Sequence, residues 1–229
     1  MNTSRADYCV VACKDALAGS GEILVSPFGV VPPIGARLAR ATSEPDIVLT
    51  DGEARAIDID GNVESWLPFR YIFDLLSSGR RHVFMMPVQI DRSGNMNLSA
   101  IGPHDHPKVQ VIGSRGAPGN TINHMTSYWV PRHTARTFVE QVDFVSGIGV
   151  DRGGLVHHVI TNLGVFDFDE QNHTMRVKSL HPGVTMDEVR ENTGFAIDGD
   201  ESLTREPTPE ELELIAKFDA KDARNKEVA

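Results

Sequence analysis

Apolar residues fall in two kinds of run along the first half of the chain. One kind recurs at helical spacing. Tyr8, Val11, Ala12 and Leu17 share a stripe of a helix predicted over Arg5 to Ala18, with Thr3 or Ser4 as its cap and Gly19 and Gly21 at its end. A second helix opens at Pro32-Pro33 and runs through Ala36, Leu38 and Ala41, and a third covers most of Trp66 to Leu76. The other kind is short and continuous, as in strands buried on both faces: Glu22 to Val25, stopped at Ser26-Pro27, then Asp46 to Leu49 and His82 to Met86. Strands alternating with helices predict a mainly parallel sheet with helices on its faces.

The second half changes character. Phe138 to Val145, Leu155 to Phe168 and Met175 to Leu180 are rich in β-branched and aromatic residues with little helix between them. His157 to Ile160 and Val165 to Phe168 read as strands paired around Asn162-Leu-Gly164. Thr185, with Glu188 three residues on, starts a helix that Gly194 ends. Thr208-Pro-Glu-Glu-Leu starts another, whose charged end, Asp219 to Ala229, is expected in solvent. No repeat or low-complexity linker divides the chain, so residues 1–229 are expected to form one domain.

Between the halves, Val109 to Ile112 reads as a buried strand running into Gly113, Gly116 and Gly119, with Pro118 and Asn120 among them. Glycines let backbone amides approach a ligand and proline stiffens the turn. A stiff turn leaving the carboxyl end of a strand is where open α/β sheets hold substrate; a sharp structural loop is the plainer reading of the same glycines.

Charge narrows the partners. The net charge of −10, without a lysine or arginine cluster, argues against nucleic acid or an anionic membrane as the main partner. No apolar stretch is long enough to cross a bilayer, and Arg5, Asp7, Lys14 and Asp15 interrupt any signal-peptide core. Cys9 and Cys13, at i,i+4 on an apolar helix face, are expected as buried reduced thiols, which places the chain in the cytoplasm.

Several segments carry candidate chemistry. Asp51 and Glu53 follow a buried strand and flank Gly52; burial of such a carboxylate would raise its pKa and suit it to act as nucleophile or base, while a plain turn explains them equally. Gln89 to Asn97 is dense in hydrogen-bonding groups and is also hairpin chemistry. His124 follows the glycine turn, which would aim it at substrate, whereas His157-His158 lies in a strand and reads as structural. His104-Asp105-His106 lacks a third spaced ligand, so no metal is expected. A nucleophile elbow, a Walker loop and a dinucleotide fingerprint are all missing; Gly147-Ile-Gly149 falls short of the last.

Four further segments, in order, resemble the β subunit of family I coenzyme A transferases: Gln89-Ile-Asp-Arg-Ser-Gly-Asn-Met-Asn97, Arg115-Gly-Ala-Pro-Gly-Asn120, Asn162-Leu-Gly-Val-Phe166 and Leu180-His-Pro-Gly-Val-Thr185, followed by Asp187-Glu-Val189 and Thr193-Gly-Phe195. Thr50-Asp-Gly-Glu-Ala54, Gly79-Arg-Arg-His82, Gly119 to Trp129 and Val145-Ser-Gly-Ile-Gly149 are most similar to a divergent branch, the β subunits of steroid ring-cleaving hydrolases. The resemblance implies a three-layer α/β/α subunit with a mainly parallel open sheet (NagB/RpiA-like) and extra strands in the C-terminal half. It also implies a homologous α subunit, in a heterodimer or heterotetramer, with the active site at their interface. Coenzyme A enters as part of the substrate, with no permanently bound cofactor.

Transferases of this family carry a nucleophilic glutamate after the strand equivalent to Asp46–Leu49. Here Asp51 stands nearest that position, one methylene shorter, and Glu53 is displaced by two residues. A reacting group misplaced by about 1 Å loses on the order of a hundredfold in rate. The hydrolase branch is therefore the expectation, with its glutamate base on the α subunit, and a true transferase moving CoA between carboxylic acids is the alternative. In that branch water adds to a ring carbonyl and retro-Claisen cleavage opens the ring. By the same resemblance, amides near Gly116 and Gly119 would hold the oxyanion, and Asn120, Asn123 and His124 would orient substrate. Asp51 or Glu53 would tune charge, while Arg92, Asn95 and Arg115 would contact substrate or CoA. Alone, the chain is expected to expose an apolar face.

Overall fold

Ser4 sets the start of the first helix. Its hydroxyl accepts from the Asp7 amide at 3.3 Å while the Asp7 carboxylate accepts from the Ser4 amide at 2.8 Å, a reciprocal cap. In the computed structural model, which describes residues 3–52, 54–77, 80–111 and 113–228, this helix is α1, Arg5–Asp15; turns through Gly19 end it earlier than its apolar stripe predicts. There follow β1 (Leu24–Pro27), α2 (Val31–Thr42), β2 (Val48–Leu49), the hairpin β3 (Arg55–Ile57) and β4 (Val63–Trp66), α3 (Tyr71–Ser77) and β5 (Arg81–Met85). Two small hairpins come next, β6 (Gln89–Ile90) with β7 (Met96–Asn97) and β8 (Ala100–Ile101) with β9 (Val109–Gln110). Then come α4 (Ala117–Asn123), β10 (Met125–Val130), β11 (Val156–Thr161), β12 (Gly164–Phe168), β13 (Met175–Leu180), α5 (Met186–Glu191), α6 (Pro209–Phe218) and α7 (Ala223–Glu227).

The main sheet has the order β13-β12-β11-β10-β5-β1-β2. Its β2, β1, β5, β10 and β11 are parallel, and β12 and β13 extend it antiparallel. Alternation along the strands divides the core in two. Phe84, Trp129 and Ile160 pack under α1 and α2, with Ile215 of α6 and Val228 behind them. Val83, Met85, Tyr128 and Val159 face the other way, against Ala117 of α4, Phe138 and Val189 of α5. The result is the three-layer α/β/α arrangement with extra C-terminal strands that the motifs imply. No helix among the described residues is long and apolar enough to cross a membrane.

Four expectations are corrected. Val63–Trp66 is a fully exposed strand, so only the later part of Trp66 to Leu76 is helical. Val109 to Ile112 is not a buried strand: Val109–Gln110 is an exposed pair in a peripheral hairpin, and Ile112 lies outside the described residues. A run that short and apolar fits an edge pair as well as a central strand. Phe138 to Val145 forms no strand beyond one bridge from Phe138 to Ile90; its apolar side chains pack, as where Phe138 stacks on His133 at 3.6 Å between centroids, without joining a ladder. Finally, the charged C-terminal end is docked. Arg224 Nε donates to Asp7 at 2.7 Å and its Nη1 to Asp219 at 3.0 Å. Glu227 accepts from the Val30 and Val31 amides at 3.0 and 2.9 Å and from Trp129 Nε1 at 3.1 Å, supplying the carboxylate cap that α2 lacks locally.

Candidate active site

A cleft of about 470 Å³ opens at the carboxyl ends of the central strands. Phe28 and Gly29 follow β1, Gly52 follows β2, Met85 ends β5 and Met86 follows it; Ile72 and Leu76 of α3 form one wall. Leu98, then Gly113, Arg115 and Gly116 from the stretch before α4, and Asn120 within it complete the lining together with Arg81. Gly52 has φ +92°, and a Cβ there would sit 2.7 Å from the Pro27 carbonyl oxygen, so only glycine lets the two strand-end loops lie together.

Arg81 is the charged residue of β5, 7% exposed. Its Nε donates to Ser26 Oγ and its Nη1 to Asn120 Oδ1, both at 3.0 Å. Burial pulls its pKa down to about 10, which leaves it cationic at neutral pH. Arg115 lies over the Phe69 ring, 4.9 Å from its centroid, where α3 and the cleft meet.

The residues singled out in the sequence are distributed unevenly about this cleft. Gly116, Arg115 and Asn120 line it. Gly116 precedes α4, and Gly119 lies one turn on with its Cα face against Leu76, where an added Cβ would be 3.2 Å from Leu76 Cβ. Asn123 and His124 turn away. Asn123 Nδ2 donates to the Leu76 carbonyl at 2.6 Å and His124 Nε2 to that of Leu75 at 2.8 Å, so the pair satisfies the last carbonyls of α3. His124 is 2% exposed in this subunit and is not among the residues lining the cleft; burial holds its imidazole below its usual pKa, and its Nδ1 is buried without a hydrogen-bond partner among the described residues.

Asp51 is exposed rather than buried, and its Oδ1 accepts from the Ala54 and Arg55 amides at 3.1 Å, as a turn residue does. Glu53 lies outside the described residues. Arg92 and Asn95 belong to the β6–β7 turn and do not reach the cleft. Asn95 is buried there, bonded to Asp91, to Asp151 and to the Gly149 amide. That network holds the hairpin preceding Leu98, so its link to the cleft is indirect.

Arg81, the α3 wall and the Phe28–Gly29 turn escaped the sequence reading as site features. One signal was available: an arginine opening a short run, Arg81–Met85, that goes on through His82 into three apolar residues is out of place unless something needs its charge.

Among the described residues, the cleft lining holds two guanidinium groups, one amide and apolar side chains, and no carboxylate, imidazole, thiol or hydroxyl. Such a site can position an anionic or carbonyl-bearing molecule. The class of protein is fixed by comparison: residues 70–192 match the Coenzyme A transferase family, and the chain belongs to it. The chain is 52% identical over 244 aligned positions to the cholesterol ring-cleaving hydrolase IpdB subunit of Rhodococcus jostii RHA1, covering 99% of this chain and 96% of that one. A chain in the crystal structure of Rhodococcus jostii RHA1 IpdAB superposes on it with a TM-score of 0.94 at 51% identity, covering 100% of both. One subunit of the 3-oxoadipate CoA-transferase of Pseudomonas knackmussii is 33% identical, covering 84% of this chain and 85% of that one.

Proposed function

We propose that this chain is the β subunit of a heteromeric hydrolase that opens a ring of a steroid-derived CoA thioester. The observation that carries the reading is the make-up of the cleft: it offers cations, an amide and apolar walls, but no general base among the described residues. The base comes from a homologous α subunit, as a glutamate. The identity of 52% to a cholesterol ring-cleaving hydrolase subunit supports the substrate class.

In this reading water, activated by the α subunit, adds to a ring carbonyl. The bond from that carbon to the α carbon of the thioester breaks, its electron pair moves into the thioester enolate, and a proton returns to the α carbon. The new carboxylate stays on the opened ring. Coenzyme A remains attached throughout as part of the substrate, with no resident cofactor. Amides at the start of α4, beside Gly116, face the developing negative charge, a contribution of on the order of 3 kcal/mol where such donors are fixed. The complex works in the cytoplasm, in keeping with two buried free cysteines.

The test is co-expression with the homologous α subunit and assay of the complex on a ring-bearing steroid-derived acyl-CoA. Ring opening with incorporation of one oxygen from labelled water, and no transfer of CoA to added carboxylic acids, is expected. A glutamyl-CoA thioester trapped by borohydride or hydroxylamine, with CoA transfer, would overturn the reading in favour of a transferase. So would full activity of this chain alone.

A further inference from the structure

Arg81 has no part in the reaction as drawn, yet it is an unusual residue to bury. Both of its hydrogen-bond partners, Ser26 and Asn120, are neutral. Among the described residues no carboxylate pairs with it, and its Nη2 has no acceptor. Taking a guanidinium out of water without a counter-charge is unfavourable by several kcal/mol on the order-of-magnitude scale for buried ions. Where buried arginines serve stability they sit against carboxylates, as Arg224 does with Asp7 and Asp219. Arg81 instead lines the cleft.

We propose that Arg81 pairs with an anionic oxygen on the acyl half of the bound thioester, an inference that rests on the cleft being an acyl-CoA site. The acyl half is the part that fits, because the cleft that Arg81 lines is also lined by Ile72, Leu76, Met85 and Leu98, which suit a carbon skeleton and not a phosphate chain. The bonds to Ser26 and Asn120 fix the guanidinium plane, so its remaining donors are oriented before the ligand arrives. An anionic oxygen can have two sources: a carboxylate already present on the acyl group, or the enolate oxygen that forms as the carbon–carbon bond breaks.

Three thioesters distinguish them on the assembled heteromer. Acetoacetyl-CoA forms an enolate visible in the near ultraviolet; glutaryl-CoA and valeryl-CoA have the same chain length with and without a terminal carboxylate. If Arg81 holds a developing enolate, the complex ionises bound acetoacetyl-CoA at least about tenfold more readily than Arg81→Met does, and Arg81→Lys restores part of the effect. If it holds a resident carboxylate, the complex binds glutaryl-CoA at least about tenfold more tightly than valeryl-CoA, and Arg81→Met abolishes the preference.

Either result supports the proposal and identifies the source. Neither effect, in an Arg81→Met complex shown intact by native mass spectrometry, overturns it. Should Arg81→Met fail to assemble, the wild-type complex decides: ionisation of acetoacetyl-CoA as in water, together with equal binding of glutaryl- and valeryl-CoA, overturns the proposal. None of the probes requires ring cleavage, so a wild-type complex inactive on the steroid-derived thioester sinks the functional reading and leaves this one to its own test.

Discussion

Replacing Glu211 by glutamine tests how the C-terminal third is tied to the first helix. Glu211 is the third residue of α6, 4% exposed. Its two oxygens accept from Arg205 Nη2 and Nη1 at 2.7 and 2.8 Å, and one also accepts from the Thr208 amide at 2.8 Å. Lys14 of α1 lies 3.1 Å away, and Arg205 also binds Asp15 at 2.7 Å. The hydrogen bonds from Arg205, aided by the Thr208 amide and Lys14 against the opposing effect of burial, hold the carboxyl at about 2 in place of 4.5. That difference is linked to about 3 kcal/mol of stability. Arg205 is partly open to solvent, which screens its share, so about 2 kcal/mol is expected for Glu211→Gln.

The sign follows from the depressed pKa. The contribution is fully present above pH 4.5 and is lost as pH falls towards 2, at no more than about 1.4 kcal/mol for each pH unit. Urea unfolding of the complex, read by circular dichroism between pH 7 and pH 3.5, should show a gap between wild type and Glu211→Gln that narrows below pH 4.5. A gap under about 0.5 kcal/mol at pH 7, the range of ordinary surface substitutions, would refute the reasoning. So would a gap that does not change with pH.

Other parts of the fold give sharper readouts. A Cβ at Gly35 would sit 2.7 Å from Cys13 Cβ and 2.9 Å from the Val10 carbonyl oxygen, so Gly35→Ala should force α1 and α2 apart and lower stability by about 1–3 kcal/mol in thermal melts. Glu227→Ala should uncap α2 and free Trp129 Nε1, costing about 1–2 kcal/mol and shifting tryptophan emission; an unchanged spectrum would count against the docked C-terminal end. Cys9 and Cys13 are fully buried and burial raises both thiol pKa values, so iodoacetamide should label neither at pH 8 until denaturant is added. Gly119→Val should press on Leu76, which lines the cleft, and reduce kcat/KM by on the order of a hundredfold while the complex still assembles, as measured by steady-state kinetics beside native mass spectrometry.

What could be read from residue order was whatever local patterning decides. The α1 cap, the Pro32-Pro33 helix start, the apolar run before Met86 and the pairing about Asn162 are set by neighbours a few positions apart, and each is found close to where the pattern puts it. The ordered motifs added the layer arrangement. What failed was decided at long range. Glu227 caps a helix that starts 196 positions earlier, and Arg224 meets Asp7 across 217, so a charged terminal stretch looks solvated until its partners are known. His124 and Asn123 look like site residues beside a glycine turn, yet His124 Nε2 and Asn123 Nδ2 are taken by the Leu75 and Leu76 carbonyls of a helix that the spacing does not place there. Arg81 is the converse case: it stands inside a motif, but nothing in the order of residues tells a buried, acid-free arginine from one at a surface.

Under the proposed function, the electrostatics of the cleft explain how an acidic subunit can receive an anionic thioester. A net charge of −10 repels such a ligand at a distance, but salt screens that repulsion beyond about 8 Å. Within that range the ligand meets Arg81, whose hydrogen-bond partners Ser26 and Asn120 are both neutral. A base built on this chain, close to Arg81, would pair with it, lose basicity and cancel the charge held for the ligand. In the proposed complex, a base on the partner polypeptide leaves the buried cation of this one available to the substrate. The exposed side chains of Val63, Trp66, Phe69, Tyr71 and Phe73, grouped on the hairpin and helix beside the cleft, belong to the same logic: a surface left apolar next to a half-built site is stable only when something covers it.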